Sequence, residues 1–231
     1  MRKSCLFLFA ALLGIFIMPA SSGRVIAQSC GGACEPEDCS IYGYPPMIWS
    51  TTLCTCVPRP SPILIDIAGD GYDLTNAVNG VKFDLDSNGR PEQLSWTSGG
   101  SDDAFLALDR DGDGLITSGR ELFGNFTEQP VTEDPNGFIA LGVFDTNGDH
   151  WIDANDAIYQ RLQLWIDSNH DGVSQRRELF SLNDKGVEGI SCNYRLSKRS
   201  DRYGNLFRFK ALARINGVKR WVWDIFFLLG N

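Results

Sequence analysis

Short apolar runs that alternate with polar residues predict strands in two parts of the chain. Between residues 62 and 134 these runs are ILIDI, VKFDL and QLSW, and they are separated by Gly, Asp and Asn turns. From Gly189 onward the spacing of apolar residues again has a period of two. Asn216-Gly217 lies between one such run and VKRWVWDIFF, and Asn-Gly in that position is the strongest short-range hairpin signal. The pattern predicts an antiparallel sheet over about residues 189–228.

Residues 136–182 instead have the spacing of helices. Ile158, Leu162 and Trp165 recur at intervals that place them on one helical face. Asn and Asp are good N-cap residues, so the sequence offers a cap for the first two of three predicted helices. The predicted helices run from an Asn136 cap to Phe144, from an Asp153 cap to Trp165, and from about Gln175 onward.

Residues 1–27 have the organisation of a secretory signal peptide. A basic MRK precedes an apolar run of 14 residues, and small residues stand before Gln28. Because a membrane span needs about 20 apolar residues, cleavage near Ala27 is favoured over an anchor. The mature protein is therefore expected to be secreted, periplasmic or on a bacterial cell surface, with no membrane span.

Five cysteines crowd into the Gly- and Pro-rich residues 28–60, and one lies much later. Exported chains are oxidised, and the spacings lack the paired C-x2-C of a zinc site. We therefore predict a small disulfide-stapled segment, followed by a single domain over residues 61–231. The predicted disulfide cysteines, with their pairing left open, are Cys30, Cys34, Cys39, Cys54, Cys56 and Cys192.

The stretch DSNHDGVSQRRELF places oxygen atoms at the spacing of an EF-hand calcium loop. Calcium takes about 6–8 oxygen ligands, which such a loop supplies from alternate positions, and Gly at position 6 permits the sharp turn. The predicted ligands at positions 1, 3, 5, 7, 9 and 12 are Asp167, Asn169, Asp171, the Val173 carbonyl, Gln175 and Glu178.

Two further loops follow the same rule with one departure each. The loop that begins at Asp145 has His150 at the glycine position, which predicts weaker binding. Its predicted ligands are Asp145, Asn147, Asp149, the Trp151 carbonyl, Asp153 and Asp156.

In the loop that begins at Asp109, Glu121 is at position 13 instead of 12, so the backbone must bulge by one extra residue for Glu121 to reach the ion. The predicted ligands there are Asp109, Asp111, Asp113, the Leu115 carbonyl and Glu121.

Two other acidic stretches match the spacing less well. DLDSNGRPE has Ser95 at position 12, and its candidate ligands are Asp84, Asp86, Asn88 and the Arg90 carbonyl. DIAGDG has Ala68 where an oxygen is needed, and it is interpreted as a strand-to-turn element. Turns favour Asp, Asn and Gly without any metal, but three loops with matched ends favour metal binding. We expect two to three calcium ions.

The charge balance agrees with this interpretation. The net charge is −8, and it becomes −11 without residues 1–27. Such a surface repels nucleic acid and anionic lipid and attracts divalent cations. We therefore expect calcium and a possible extracellular protein as partners, and no nucleic acid.

In order and spacing, residues 62–190 resemble the EF-hand-like region of RTX-type (haemolysin-type) calcium-binding proteins. The stretches that carry the resemblance are PILIDIAGDGYDLT, VKFDLDSNGR, ALDRDGDGLITSGRELFG and the region from FDTNGDHWIDAND to RRELFSL. The resemblance implies an α+β fold, in which an EF-hand-like helix-loop-helix calcium module is combined with an antiparallel β-sheet. Some relatives cut themselves at an Asp-Pro bond before the first strand, but here that junction is Ser61-Pro62.

Three functions follow from these observations. The first is a secreted, non-enzymatic protein that uses calcium to fold and stabilise its module. The second is a dockerin-like partner-binding module, because the loops at Asp145 and Asp167 are separated by one predicted helix. The third is calcium-dependent self-processing at Asp134-Pro135, which lies in a different loop from the junction of the relatives.

Overall fold

Strand pairing, more than helix packing, organises this chain. The computed structural model describes residues 47–50 and 55–230, without the side chains of residues 48–50, 55 and 57. These residues belong to the unit Cys34–Asn231. Within them the strands are β1 (Met47–Ser50), β2 (Thr55–Pro58), β3 (Ile63–Asp66), β4 (Val81–Phe83), β5 (Glu92–Leu94), β6 (Asp103–Ala107), β7 (Trp151–Asp153), β8 (Gln163–Trp165), β9 (Leu179–Ser181), β10 (Val187–Ser191), β11 (Arg195–Ser200), β12 (Leu206–Ile215) and β13 (Val218–Phe226).

Helical structure is sparse in the same part of the chain. The single α-helix there, α1, spans Gly137–Gly142, and the side chain of Asn136 caps it by accepting hydrogen bonds from the backbone N–H of Phe138 and Ile139. The remaining helical turns are of the 3-10 type. They lie at Gly119–Glu121, Tyr159–Arg161, Arg176–Glu178 and Asn183–Lys185.

Nine strands form one antiparallel sheet. Its order is β7-β10-β12-β13-β3-β6-β8-β9, and β11 pairs with β12 beside this path. The central strands β3 and β6 are buried along their full lengths. The sheet therefore has a covered centre, and the acidic stretches that begin at Asp66, Asp109 and Asp167 lie at or just after the C-terminal ends of β3, β6 and β8.

Two apolar clusters cover opposite faces of this sheet. Ile63 and Ile65 join one cluster, which includes the helix residue Phe138, and Leu64 between them joins the other. The second cluster is rich in aromatic rings, and Trp96 lies 4.3 Å from Phe105 by ring centroids. Alternate side chains of a strand point to opposite faces, so a strand buried on both sides needs apolar residues at successive positions.

The predicted hairpin is confirmed. β12 pairs with β13 in a register that joins Ile215 to Val218, which leaves Asn216-Gly217 as the two turn residues. Both turn residues have positive φ, as a type I′ turn requires. The buried and half-buried residues of β12 alternate along its whole length, as its sequence period predicts.

The predicted helix-loop-helix fold is wrong. The first helix begins at its predicted cap but ends two residues early, at Gly142. The second is replaced by β7, a 3-10 turn and β8. Leu164 and Trp165 are both buried, but in clusters on opposite faces of the sheet. That arrangement suits a strand, and the pairing of β8 with β6 and β9 overrides the helical spacing. The third is a 3-10 turn followed by β9.

The predicted framework of six paired cysteines is also wrong. Cys192 is a free thiol, and burial raises its pKa to about 12. Cys56 is disulfide-bonded, but no disulfide joins two of the described residues. Cys30, Cys34, Cys39 and Cys54 lie outside the described ranges, as does the predicted signal peptide. Within those ranges no helix is long and apolar enough to cross a membrane.

Candidate metal centre

Five acidic loops share one backbone geometry. In each loop the aspartate at position 1 accepts a hydrogen bond from the backbone N–H five residues later, with a distance of 2.9 Å. The pairs are Asp66 with Gly71, Asp84 with Gly89, Asp109 with Gly114, Asp145 with His150, and Asp167 with Gly172. The aspartate thus closes each loop on itself, and the side chains at positions 3 and 5 are drawn into the same turn.

The 109 loop (residues 109–121) brings together ligands from both of its ends. Carboxylate oxygens of Asp109, Asp111 and Glu121 lie within 4.8 Å of one another. Glu121 is 4% exposed and accepts hydrogen bonds from the backbone N–H of Thr117 at 2.7 Å and of Arg110 at 3.2 Å. The 3-10 turn Gly119–Glu121 takes up the extra residue, so the thirteenth position reaches the loop. Asp113 is not part of this cluster, and its Oδ1 accepts the N–H of Leu115 at 2.8 Å.

The 84 loop (residues 84–92) contains a carboxylate that the sequence analysis missed. Oxygens of Asp84, Asp86 and Glu92 lie within 4.8 Å of one another. Glu92 stands at position 9, a position that carries an oxygen ligand in calcium loops and could have been found by spacing alone. Burial and the charge of Asp86 raise the pKa of Glu92 to about 7. The amide of Asn88 donates to both Asp86 and Glu92, which places its nitrogen at the centre of the loop.

The 84 and 109 loops lie side by side. The N–H of Gly119 donates to the carbonyl of Asp84 at 2.8 Å. Asp84 and Ser87 from one loop and Asp111 and Glu121 from the other line a common cleft. The two candidate cation sites therefore lie next to each other along one acidic cleft.

A third carboxylate cluster joins residues that are distant in sequence. Asp66 and Asp70 of the DIAGDG stretch lie within 4.8 Å of Asp102, by their carboxylate oxygens. Asp102 Oδ2 also accepts the N–H of Ala68 at 2.5 Å. The oxygen missing at Ala68 is thus supplied from the residue before β6, and no local spacing could have indicated it. The interpretation of this stretch as a strand-to-turn element overlooked the cluster.

The 145 loop (residues 145–156) has the backbone geometry without a carboxylate cluster. His150 takes a left-handed conformation, with φ of 65°. Asp153 is engaged elsewhere, because its Oδ2 forms an ion pair with Arg214 at 2.7 Å. Burial opposes the ionisation of Asp156, but hydrogen bonds from Thr146 lower its pKa overall. This loop therefore offers fewer free oxygens than its sequence suggests.

The 167 loop (residues 167–178) has its two end carboxylates almost fully buried. Asp167 and Glu178 are each 1% exposed. Asp167 Oδ2 accepts a hydrogen bond from the indole N–H of Trp96 at 2.8 Å. Burial raises the pKa of Asp167, and the nearby charge of Glu178 adds to the increase. The ring nitrogens of His170 lie 2.6 Å and 2.8 Å from the carbonyl oxygens of Thr97 and Asn79, which fastens the loop to the domain.

The middle of the 167 loop is closed by amide hydrogen bonds. Asn169 donates to Asp171, and Gln175 donates to Asp171 and to the carbonyl of Val173. The same side chains present oxygen when their amide groups are turned over, because the two ends of an amide are close in size. Asn169 and Gln175 would therefore have to turn their amide groups over to present oxygen at the positions that the sequence predicts.

Glu178 carries the feature that distinguishes the 167 loop. Its Oε1 accepts the hydroxyl of Ser168 at 3.0 Å, but its Oε2 is buried without a hydrogen-bond partner. No ion pair with Lys or Arg involves Asp167 or Glu178 within the described ranges. Two buried carboxylates without a counter-charge are costly, and hard oxygen ligands of this kind fit a divalent cation such as calcium.

These features define an antiparallel β domain whose acidic loops lie between its strands and short helical turns. The chain belongs to the SPM domain family, which matches residues 63–228. It is also similar to the iron-regulated protein FrpA of Neisseria meningitidis serogroup C, with 35% identity over 147 residues. That match covers 62% of this chain but only 13% of FrpA, so the chain corresponds to a small part of this relative.

The comparison corrects the family resemblance. The chain belongs to the SPM domain family, and its described part is mostly β-sheet with one short helix, so it is not an EF-hand-like module. The dockerin-like alternative loses its basis too, since β7, a 3-10 turn and β8 stand where a helix was predicted between the 145 and 167 loops. Loop spacing can therefore match an EF-hand without the flanking helices.

Proposed function

We propose that this chain is a secreted, non-enzymatic domain that binds calcium in its acidic loops and is stabilised by the ion. The 167 and 109 loops are the principal sites. Asp167, Asn169, Asp171, Gln175 and Glu178 hold one ion, and the Val173 carbonyl contributes to it. Asp109, Asp111 and Glu121 hold the other.

One observation supports this proposal more strongly than the others. The buried Oε2 of Glu178 has no partner, and it belongs to a carboxylate beside the equally buried Asp167. An unpartnered buried charge destabilises a fold by several kcal/mol, whereas a bound cation supplies the missing interaction. The clustered oxygens of Asp109, Asp111 and Glu121 support the same chemistry at the neighbouring site.

Calcium would act as a part of the folded structure. Without the ion the carboxylates of each loop repel one another, so binding is coupled to folding. At free calcium 100-fold above Kd, a single site stabilises the fold by about 2.7 kcal/mol. Both principal loops are connected to strands of the main sheet. Calcium binding in these loops should therefore also stabilise the sheet and the core that it covers.

Thermal unfolding with and without chelator tests the proposal. EDTA should lower the Tm, and added calcium should restore it in a concentration-dependent manner. Magnesium should restore it poorly, because it demands stricter octahedral geometry and keeps its waters. An unchanged Tm in EDTA would contradict the proposal.

A substitution at Glu178 tests the principal site. Glu178→Gln should weaken calcium binding by roughly tenfold or more, since even residues that only support a metal ligand contribute 10–100-fold. Trp96 reports on this site through its hydrogen bond to Asp167, so tryptophan fluorescence can follow the titration. Glu133→Gln, at an exposed carboxyl outside the loops, is the matched control. Equal affinities for the two variants would exclude Glu178 as a ligand.

A further inference from the structure

The positive charge of this acidic protein is concentrated in one segment. Residues 195–220 hold nine of the 21 lysines and arginines but only one of the 29 acidic residues. This segment carries +8, and the rest of the chain carries −16. The segment contains β11, β12 and the start of β13, so eight of the nine cations lie on three adjacent strands, and Arg202 lies between β11 and β12.

The strand register brings five of these cations to one face of the sheet. Directly paired residues of antiparallel strands project to the same side. Arg195 pairs with Lys210, Lys210 with Trp223, Leu212 with Trp221, Arg214 with Lys219, and Arg199 with Phe207. We name as the basic face the residues Arg195, Arg199, Lys210, Arg214 and Lys219, together with Trp221 and Trp223.

The basic face is open to solvent at three of its five cations and at one tryptophan. Arg195, Arg199 and Lys219 are exposed, and Trp221 is 41% exposed. Arg214 has a counter-charge in Asp153. Among the described residues, Arg195, Lys210 and Lys219 have none. The single acidic residue of the segment, Asp201, is engaged in its own turn by Tyr203, Asn205 and Gly204.

The aromatic rings are already covered by cations. Lys210 Nζ lies 4.3 Å from the centroid of Trp221 and 5.3 Å from that of Trp223. The Arg199 guanidinium lies 5.3 Å from the Trp223 ring, which is only 6% exposed. Single-stranded nucleic acid needs a series of free ring faces on which its bases stack, and this face has at most one.

We propose that the basic face docks on an anionic lipid surface. A sheet face with cations spread over three strands suits a surface that carries many headgroup charges. Tryptophan flanked by Lys and Arg is the composition found at membrane interfaces. The rest of the chain has a net charge of −16 and is repelled by an anionic surface. This repulsion orients the basic face toward the surface. The inference rests on different residues from the calcium sites.

Vesicle sedimentation tests this proposal. The full chain is mixed with vesicles of phosphatidylcholine and phosphatidylglycerol, or of phosphatidylcholine alone, in EGTA so that calcium cannot bridge the acidic loops to lipid. The apolar run of residues 5–18 can bind both kinds of vesicle, so the measured quantity is the ratio of the two partition coefficients. We expect strong preference for anionic vesicles, which high salt abolishes.

Matched charge reversals locate the contact. Lys210→Glu with Lys219→Glu should reduce the preference at least tenfold. Lys82→Glu with Arg161→Glu, at exposed positions outside the basic face and outside the acidic loops, makes the same change in net charge and should leave most of the preference. Circular dichroism confirms that both variants are folded.

Three results would overturn the proposal. The first is equal binding to both kinds of vesicle, and the second is an equal loss of preference in the two double variants. The third is binding by the basic face to heparin, a single-stranded oligonucleotide or a second copy of the chain, without binding to anionic vesicles. None of these results bears on calcium binding, which the chelator experiment measures separately.

Discussion

Single residues at position 6 of each acidic loop decide how readily the backbone turns. Glycines occupy this position in four loops, with φ between 69° and 112°, and His150 occupies it in the fifth with φ of 65°. A left-handed conformation costs an L-residue about 1–2 kcal/mol, although His tolerates it better than bulky residues do. The 145 loop therefore keeps the shared geometry at an energetic cost.

A glycine at this position should relieve that cost. His150→Gly should raise the free energy of unfolding by up to about 1 kcal/mol, after the greater flexibility of glycine in the unfolded chain is included. The lost contact with Asp145, 3.9 Å away and largely exposed on the histidine side, should matter little. Urea denaturation measures the change. His150→Ala is the control, and a gain of the same size in that variant would show that strain is not the cause.

At the scale of elements, the 84 and 109 loops are held together by the close approach of two backbones. A Cβ on Gly119 would lie 1.8 Å from the carbonyl oxygen of Leu85. Only glycine permits this contact, and it places the turn that carries Glu121. The geometry of the 109 loop thus depends on a neighbouring loop.

Gly119→Ala should separate these loops. The added methyl group should destabilise the fold by about 1–3 kcal/mol and should weaken cation binding in the 109 loop. Gly99→Ala is the control, because a Cβ there meets only the His170 Cβ, at 3.4 Å. Chemical denaturation and calcium titration of the two variants make the comparison. If both lose the same stability, the contact with Leu85 is not the reason.

At the scale of the whole molecule, a buried acid lies where the sheet meets the helix. Asp224 of β13 is fully buried, and its Oδ2 accepts the backbone N–H of Gly137 at the start of α1. Burial raises the pKa of Asp224 to about 7, from an ordinary value of 3.8. The folded chain therefore keeps this proton up to near pH 7, whereas the unfolded chain releases it near pH 4.

Stability should consequently fall as the pH rises from about 4 to 7, because the unfolded state binds fewer protons than the folded state in that window. Asp224→Asn cannot ionise and should lose this part of the pH dependence, so that it is more stable relative to wild type at pH 8 than at pH 4. Urea denaturation at several pH values in EDTA measures the difference. Glu133→Gln should follow wild type, and an Asp224→Asn curve parallel to wild type would contradict the prediction.

Local interactions made part of the fold and site predictable. The Asn136 cap, the Asn216-Gly217 turn and the alternation of β12 all depend on residues close together in sequence. The closing hydrogen bond of each acidic loop spans only five residues, so spacing alone indicates where the loops lie. Glu92, at position 9 of the 84 loop, follows from the same spacing, although it was missed.

The amino-acid sequence by itself determined the acidic loops, the hairpin and the helix start, because neighbouring residues stabilise each of them. The tertiary structure alone decided that residues 163–165 form a strand, since only pairing with β6 and β9 outweighs their helical spacing. It also placed Asp102 beside Asp66, Trp96 against Asp167, and the cations of three strands on one face. Those contacts join residues that are distant in the chain, and their energy exists only once the sheet has formed.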